Sequence, residues 1–208
     1  MKKPDAIPAD DDRIKIVDSM EAFCLEPLGR ASVIVYPRSL SMNFNALAYQ
    51  LEAVGEVQPG RVGMFYSHDL DGMSRYLDHE ARQALKQIES DMRDIFRLQP
   101  YKPYLRVVTP DGYDNKRIYD FHIDRNTVWD GRILCAYNAR PMRGLREEDA
   151  IPNVGGRTFT VWPSAKFIEF EPGDLTRHAF QGKSERPFIH QAQKIEPGDA
   201  PKLLLVAR

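Results

Sequence analysis

The sequence predicts a mainly β chain with flanking helices (α+β), its strands forming a β-sandwich or barrel-like jelly roll. Three observations carry this. After Pro103, short β-branched and aromatic runs alternate with Gly, Pro and Asn turns. Helical periodicity is confined to the stretch before about Phe96. No internal repeat, low-complexity tract or linker divides the 208 residues, a length that fits one domain with a substantial core. The helices are therefore expected to pack outside one sheet.

Along the chain, residues 1–12 are rich in Pro and Asp and read as a mobile tail. Ala31 to Tyr36 (ASVIVY) has the β-branched density of a buried strand and opens a helical support region over residues 31–100. Ser41 and Asn43 are N-cap candidates before Phe44, Leu47, Ala48, Leu51 and Val54, which share one helical face until Gly55 stops the helix. A longer helix is expected from about Met73 to Phe96, because Leu77, Ala81, Ala84, Leu85, Ile88, Met92 and Ile95 recur at intervals of three or four. His79 falls on that helix as a surface or capping residue, and His68 falls in a loop. The jelly-roll core spans residues 104–207. Its strands are expected at Tyr104–Val108, Ile118–Asp124, Arg132–Asn138, Arg157–Val161, Ala165–Phe170, Phe188–Gln191 and Lys202–Ala207, with a loop from Met142 to Val154.

Composition narrows the partners. Lys plus Arg total 29 against Asp plus Glu 30, a net charge of −1, so no basic excess draws nucleic acid or an anionic membrane. Cys24 and Cys135 offer no disulfide framework, and Cys135 sits in an apolar run as a small buried hydrophobe. Met1-Lys2-Lys3 is followed by Asp10-Asp11-Asp12 where a signal peptide needs apolar residues, and no run approaches the roughly 18 apolar residues of a membrane span. A cytoplasmic location is the expectation.

The chemistry centres on His122-Ile-Asp124. On a strand, residues i and i+2 share a face, so an imidazole and a carboxylate would point the same way. These are two of the three ligands of the 2-His-1-carboxylate facial triad that holds non-haem iron(II) with positions left open. Two histidines follow. His190 is the expected second imidazole, because it ends a charged loop and enters an apolar strand. His178 is left to line the cavity, donate to substrate or face solvent. Arg177 beside it is a candidate for an anionic part of the substrate. In the loop, Arg143 and Arg146 hint at an anionic or amino-acid-like ligand, offset by Glu147-Glu148-Asp149.

At this point the C-terminal half resembles the iron(II)- and 2-oxoglutarate-dependent oxygenases, in particular their prolyl-4-hydroxylase-like branch. Five features stand in the family's order: the His122/Asp124 pair, the strand from Arg132 to Asn138, the Gly155-Gly156-Arg-Thr158-Phe159 turn, the Pro172-Gly173-Asp174 turn, and His190 followed by Lys202. The chain is also similar to a small bacterial family with an HxD-x(n)-R-L-L-C-x-Y segment, which brings no activity with it. The larger resemblance implies a double-stranded β-helix core, cupin-like in shape. It implies iron(II) held by His122, Asp124 and His190, with 2-oxoglutarate and O₂ as cosubstrates. It also implies that Lys202 pairs with the far carboxylate of 2-oxoglutarate, a group that when buried needs a cation. Lys202 stands further from the distal histidine than the family's cation usually does, which leaves Arg132 or Arg208 as substitutes. Tyr137 adds a hydroxyl hydrogen bond to the cosubstrate, or else packs in the core with its OH satisfied.

The implied reaction is hydroxylation of an unactivated C–H in a small-molecule or amino-acid-like substrate. Two other readings stay open: a cupin-like metalloenzyme that does not use 2-oxoglutarate, and a non-catalytic jelly-roll binding protein.

Overall fold

The computed structural model describes residues 12–110, 116–124, 131–181 and 187–208. The chain begins with β1 (Ile14–Ile16), α1 (Met20–Leu25) and β2 (Val33–Tyr36). Elements as short as β1 and α1 leave no periodic signature, and the sequence pattern shows only β2. Ser19 caps α1 by accepting from the Ala22 N–H. Next, α2 (Phe44–Val54) is capped by Asn43 and stops at Gly55, as its sequence predicts.

The long helix expected from Met73 is instead two helices. After β3 (Val62–Phe65), α3 (Ser67–Ser74) ends and α4 (His79–Leu98) restarts. Asp78 causes the break: it accepts from the Ala81 N–H as the α4 N-cap, while Gln50 on α2 both donates to its carboxylate and accepts from its backbone N–H. His68 consequently lies in the first turn of α3 rather than in a loop, and His79 opens α4; both are exposed.

From Tyr104 onward the chain is mostly strand. It contains β4 (Tyr104–Val108), β5 (Phe121–His122), β6 (Gly131–Ala136), β7 (Met142–Leu145), β8 (Ala150–Pro152), β9 (Thr158–Val161), β10 (Phe167–Glu169), β11 (Leu175–Ala179), β12 (Ile189–Ala192) and β13 (Lys202–Ala207). Three stretches differ from expectation, the first being β11, which none of the expected strands covers. Ile118 to Asp124 is a 3-10 turn (Lys116–Tyr119) followed by the two-residue β5, and the expected loop from Met142 to Val154 carries β7 and β8.

The strands form two curled sheets, one ordered β1-β2-β11-β6-β13-β4-β3 and the other β10-β7-β12-β5-β9-β8. From β4 to β7 successive strands alternate between sheets, β8 to β10 stay in the second, and β11 to β13 alternate again. The seven-stranded sheet shows the period-2 pattern on both faces. Ile34, Leu105, Val107, Ile133, Cys135, Leu203 and Leu205 turn outward into a core shared with the helices. Val33, Val35, Tyr104, Leu134 and Val206 turn inward against Met142, Ile168 and Phe188 of the facing layer. The helices thus pack on the outer face of one sheet, and the interior between the sheets is left for a site. Among the described residues no helix is long and apolar enough to cross a membrane.

Candidate metal centre

His122 on β5 stands directly opposite His190 on β12 in an antiparallel pairing, their ring centroids 4.6 Å apart. Each ring is oriented in the same way. His122 Nδ1 donates to the Asp120 carbonyl at 2.8 Å, and His190 Nδ1 donates to the Phe188 carbonyl at 3.1 Å. A carbonyl only accepts, so the proton lies on Nδ1 and each Nε2 presents a lone pair. Such outer contacts are the usual means of aiming a ligating histidine.

Asp124 arrives by a different route from the one its sequence suggests. β5 ends at His122, so the two residues do not share a strand face. Instead the Ile123 N–H donates to the Arg157 carbonyl and the Gln181 N–H donates to the Asp124 carbonyl, and these bonds fix the turn. The carboxylate then lies 3.9 Å from His122 Nε2 through Oδ1 and 3.7 Å from His190 Nε2 through Oδ2. Donor atoms of His122, Asp124 and His190 all fall within 4.8 Å of one another.

The protonation states suit a cation. Burial pushes the Asp124 carboxyl up, but the His178 hydrogen bond and the nearby His190 and Arg132 outweigh it and hold the group well below the usual carboxylate range. Burial drives His190 down to about 3, with His178 beside it acting in the same direction. A metal needs deprotonated ligands, and Asp124 and His190 are already in that state at neutral pH.

Two further groups complete the cluster. Arg132 on β6 contacts Asp124 Oδ2 at 2.7 Å, and His178 on β11 lies 3.1 Å from the same oxygen through Nε2. His178 is fully buried. Of the roles open to it, the structure places it against the Asp124 carboxylate rather than in solvent.

The centre opens onto a cleft of about 650 Å³, its mouth included, lined by His122, His190, Arg132, Arg106, Gln193 and Lys202 among others. Lys202 is 3% exposed, and its Nζ donates to the Pro141 carbonyl at 3.1 Å. Among the described residues no carboxylate pairs with it, and burial lowers its pKa to about 8. Arg106 and Gln193 were not singled out from the sequence. The inward parity of Arg106 within Tyr104-Leu-Arg-Val-Val108 is a signal that could have found it, because Leu105 and Val107 must face the helices.

The structure places the other candidates away from the cleft. Tyr137 does not reach the cleft: it is buried on the helix side of the sheet and its OH donates to Asp91 Oδ2 at 2.6 Å. Arg177 does not face substrate either: it donates to the carbonyls of Cys24 and Glu26 at the end of α1, on the face opposite His178. The charges of Arg143 and Arg146 are met by Glu169 and Glu148. Arg208 is exposed at the chain end.

No protein-family model matches the chain, and no curated protein matches it. Solved structures do, among them a candidate oxygenase from Shewanella oneidensis, covering 92% of this chain and 88% of that one at 12% identity with a TM-score of 0.36. At that distance the likeness decides neither fold nor activity.

Proposed function

We propose that the protein is a non-haem iron(II)- and 2-oxoglutarate-dependent oxygenase that hydroxylates an unactivated C–H of a small-molecule or amino-acid-like substrate. One observation carries the reading: the two histidines of a two-histidine, one-carboxylate donor set line the same cleft as a buried lysine that has no carboxylate partner among the described residues. The donor set suits iron(II) with positions left for ligands. The lysine suits an anion that reaches inward from that metal. The alternation of strands between the two sheets, together with the His122/Asp124 and His190 positions, supports a double-stranded β-helix.

His122 Nε2, His190 Nε2 and Asp124 would hold the iron, and their orientation is set before it arrives by the Asp120 and Phe188 carbonyls and by Arg132. Bound iron would supply the O₂ chemistry that couples decarboxylation of 2-oxoglutarate, to succinate and CO₂, with hydroxylation of substrate. Lys202 would fix the far carboxylate of the cosubstrate, and the apolar lining from Leu134, Leu204 and Val206 would keep water from the reacting centre.

Anaerobic titration of the iron(II)-loaded protein with 2-oxoglutarate tests this. The expected result is the weak visible charge-transfer band of a keto acid chelating iron(II), absent in Asp124→Ala. In Lys202→Met the half-saturating 2-oxoglutarate concentration is expected to rise about 10- to 100-fold, the loss of one charge-assisted bond. Stoichiometric iron without the band would overturn the 2-oxoglutarate reading in favour of a metalloenzyme of another kind. No iron at all would leave a binding protein.

A further inference from the structure

We propose that Arg132 and His178 are positioning residues that together occupy Asp124 Oδ2, so that Asp124 presents Oδ1 alone to the metal. The inference rests on the metal-centre reading and adds how the centre keeps its open positions.

Arg132 and His178 are direct cross-strand partners in the β6–β11 pairing, and both point into the space between the sheets. Their donors converge on one atom, Oδ2, at 2.7 and 3.1 Å. A carboxylate oxygen has two lone-pair sites. The His178 hydrogen bond and the Arg132 ion pair thus engage Oδ2, which lies 3.7 Å from His190 Nε2, while Oδ1 accepts no hydrogen bond from the described residues and lies 3.9 Å from His122 Nε2.

The chemistry also fixes what His178 can do. Its Nε2 faces a carboxylate acceptor, so that nitrogen carries the proton and cannot itself ligate a metal. The remaining lone pair, on Nδ1, is buried with no hydrogen-bond partner among the described residues. This fourth histidine is thus held as a donor to a ligand. The Phe180 and Phe188 rings flank it at 6.4 and 6.1 Å, and the Arg132 guanidinium lies 5.6 Å over the Phe180 ring.

The consequence concerns coordination number. With two imidazoles and one carboxylate oxygen, a six-coordinate metal keeps three adjacent positions for a chelating cosubstrate and O₂. A carboxylate free to rotate and bind through both oxygens would close one of them. The donors come from the seven-stranded sheet, whereas both imidazole ligands belong to the other. The sheet that supplies none of the three ligands thereby governs how the anionic one is presented.

The test uses cobalt(II) as a spectroscopic probe on the full chain, with binding followed by calorimetry and by visible d–d absorption. His178→Leu and Arg132→Met are expected to weaken cobalt binding about 10- to 100-fold and to alter the d–d bands. His178→Gln and Arg132→Lys, which retain a donor, are expected to stay within about threefold of the parent and to keep its bands. Should the buried His178→Leu fail to fold, the Arg132 pair, with a side chain 24% exposed, decides the matter alone. Parental affinity and bands in the apolar variants, or equal losses in the conservative ones, would overturn the proposal while leaving the metal centre standing. Failure of the parent chain to bind cobalt would overturn the metal centre itself.

Discussion

Lys202 sets stability against function in a single side chain. Its ammonium is almost wholly buried with one carbonyl as partner, and burial lowers its pKa from the ordinary 10.5 to about 8. The folded state thus binds that proton less tightly than the unfolded state does. Between about pH 8 and 10.5 the unfolded chain carries more protons, so this group makes stability rise with pH across that window. At pH 7 the folded protein bears the penalty in full, on the order of 3 kcal/mol. Lys202→Met is therefore expected to raise the stability of the metal-free protein at pH 7, and to remove the part of the pH dependence that lies above pH 8. Urea unfolding of parent and variant at pH 7 and pH 10 measures both. A difference between the two proteins that does not change with pH would sink the argument. The same substitution is expected to weaken 2-oxoglutarate binding in the titration proposed above. A residue that costs stability where it stands and gains an opposite charge with a ligand is the pattern expected of a binding site.

At the scale of elements, α4 is clamped to the outer face of the seven-stranded sheet by a buried polar network. Arg38 pairs with Asp91 Oδ1 at 2.7 Å and donates to the Gly173 carbonyl, while Tyr137 donates to Asp91 Oδ2 and Gln87 to Oδ1. Asp91→Ala would leave the Arg38 charge buried and unpaired, at a cost of about 3–5 kcal/mol. Tyr137→Phe would remove one hydrogen bond to a charged group, at about 1.5–3 kcal/mol. Both should lower the denaturant midpoint and leave cobalt affinity unchanged in the folded protein. A Tyr137→Phe variant of parental stability but impaired 2-oxoglutarate binding would return the tyrosine to the site. The sequence could have made this distinction through strand parity. Arg132 and Tyr137 are an odd number of positions apart and Arg177 and His178 are adjacent, so neither pair can face one cavity from a regular strand. The boundaries of β4 and β13 were legible to the residue, because β-branched and apolar runs are closed there by Pro103 and Pro201. β5, β7 and β8 were less so. They are two to four residues long, and pairing with neighbouring strands, not local pattern, makes them strands. Similarly, Asp78 was passed over as a helix start because the apolar repeat runs past it, whereas the Gln50 contact that fixes the cap lies 28 residues away.

Across the whole molecule, the cluster around Asp124 is a joint between the two sheets. His122 and His190 belong to the six-stranded sheet, Arg132 and His178 to the other, and Asp124 touches members of both. The three candidate ligands were legible in the sequence as residue types in order. The joint was not, since it depends on a turn after β5 and on the β6–β11 register. A metal bound to three residues that meet only when β5 pairs with β12 and the turn after β5 is fixed binds the native state and finds no such site in the unfolded chain. Its binding free energy must then appear as stability: at a free concentration about 100 times Kd the gain is about 2.7 kcal/mol. For a chain of this size, 1 kcal/mol corresponds to roughly 2–4 °C, so cobalt at that excess should raise Tm by about 5–10 °C. Because the joint spans both sheets, far-ultraviolet and near-ultraviolet circular dichroism should shift together rather than one ahead of the other. Asp124→Ala should abolish the shift. Arg132→Met, at the same cobalt concentration, should show a smaller one: a 10-fold weaker affinity removes about 1.4 kcal/mol, half the gain. A full shift in Asp124→Ala would place the metal elsewhere on the chain, and a shift confined to one spectral region would mean that the sheets melt separately and that the cluster does not join them.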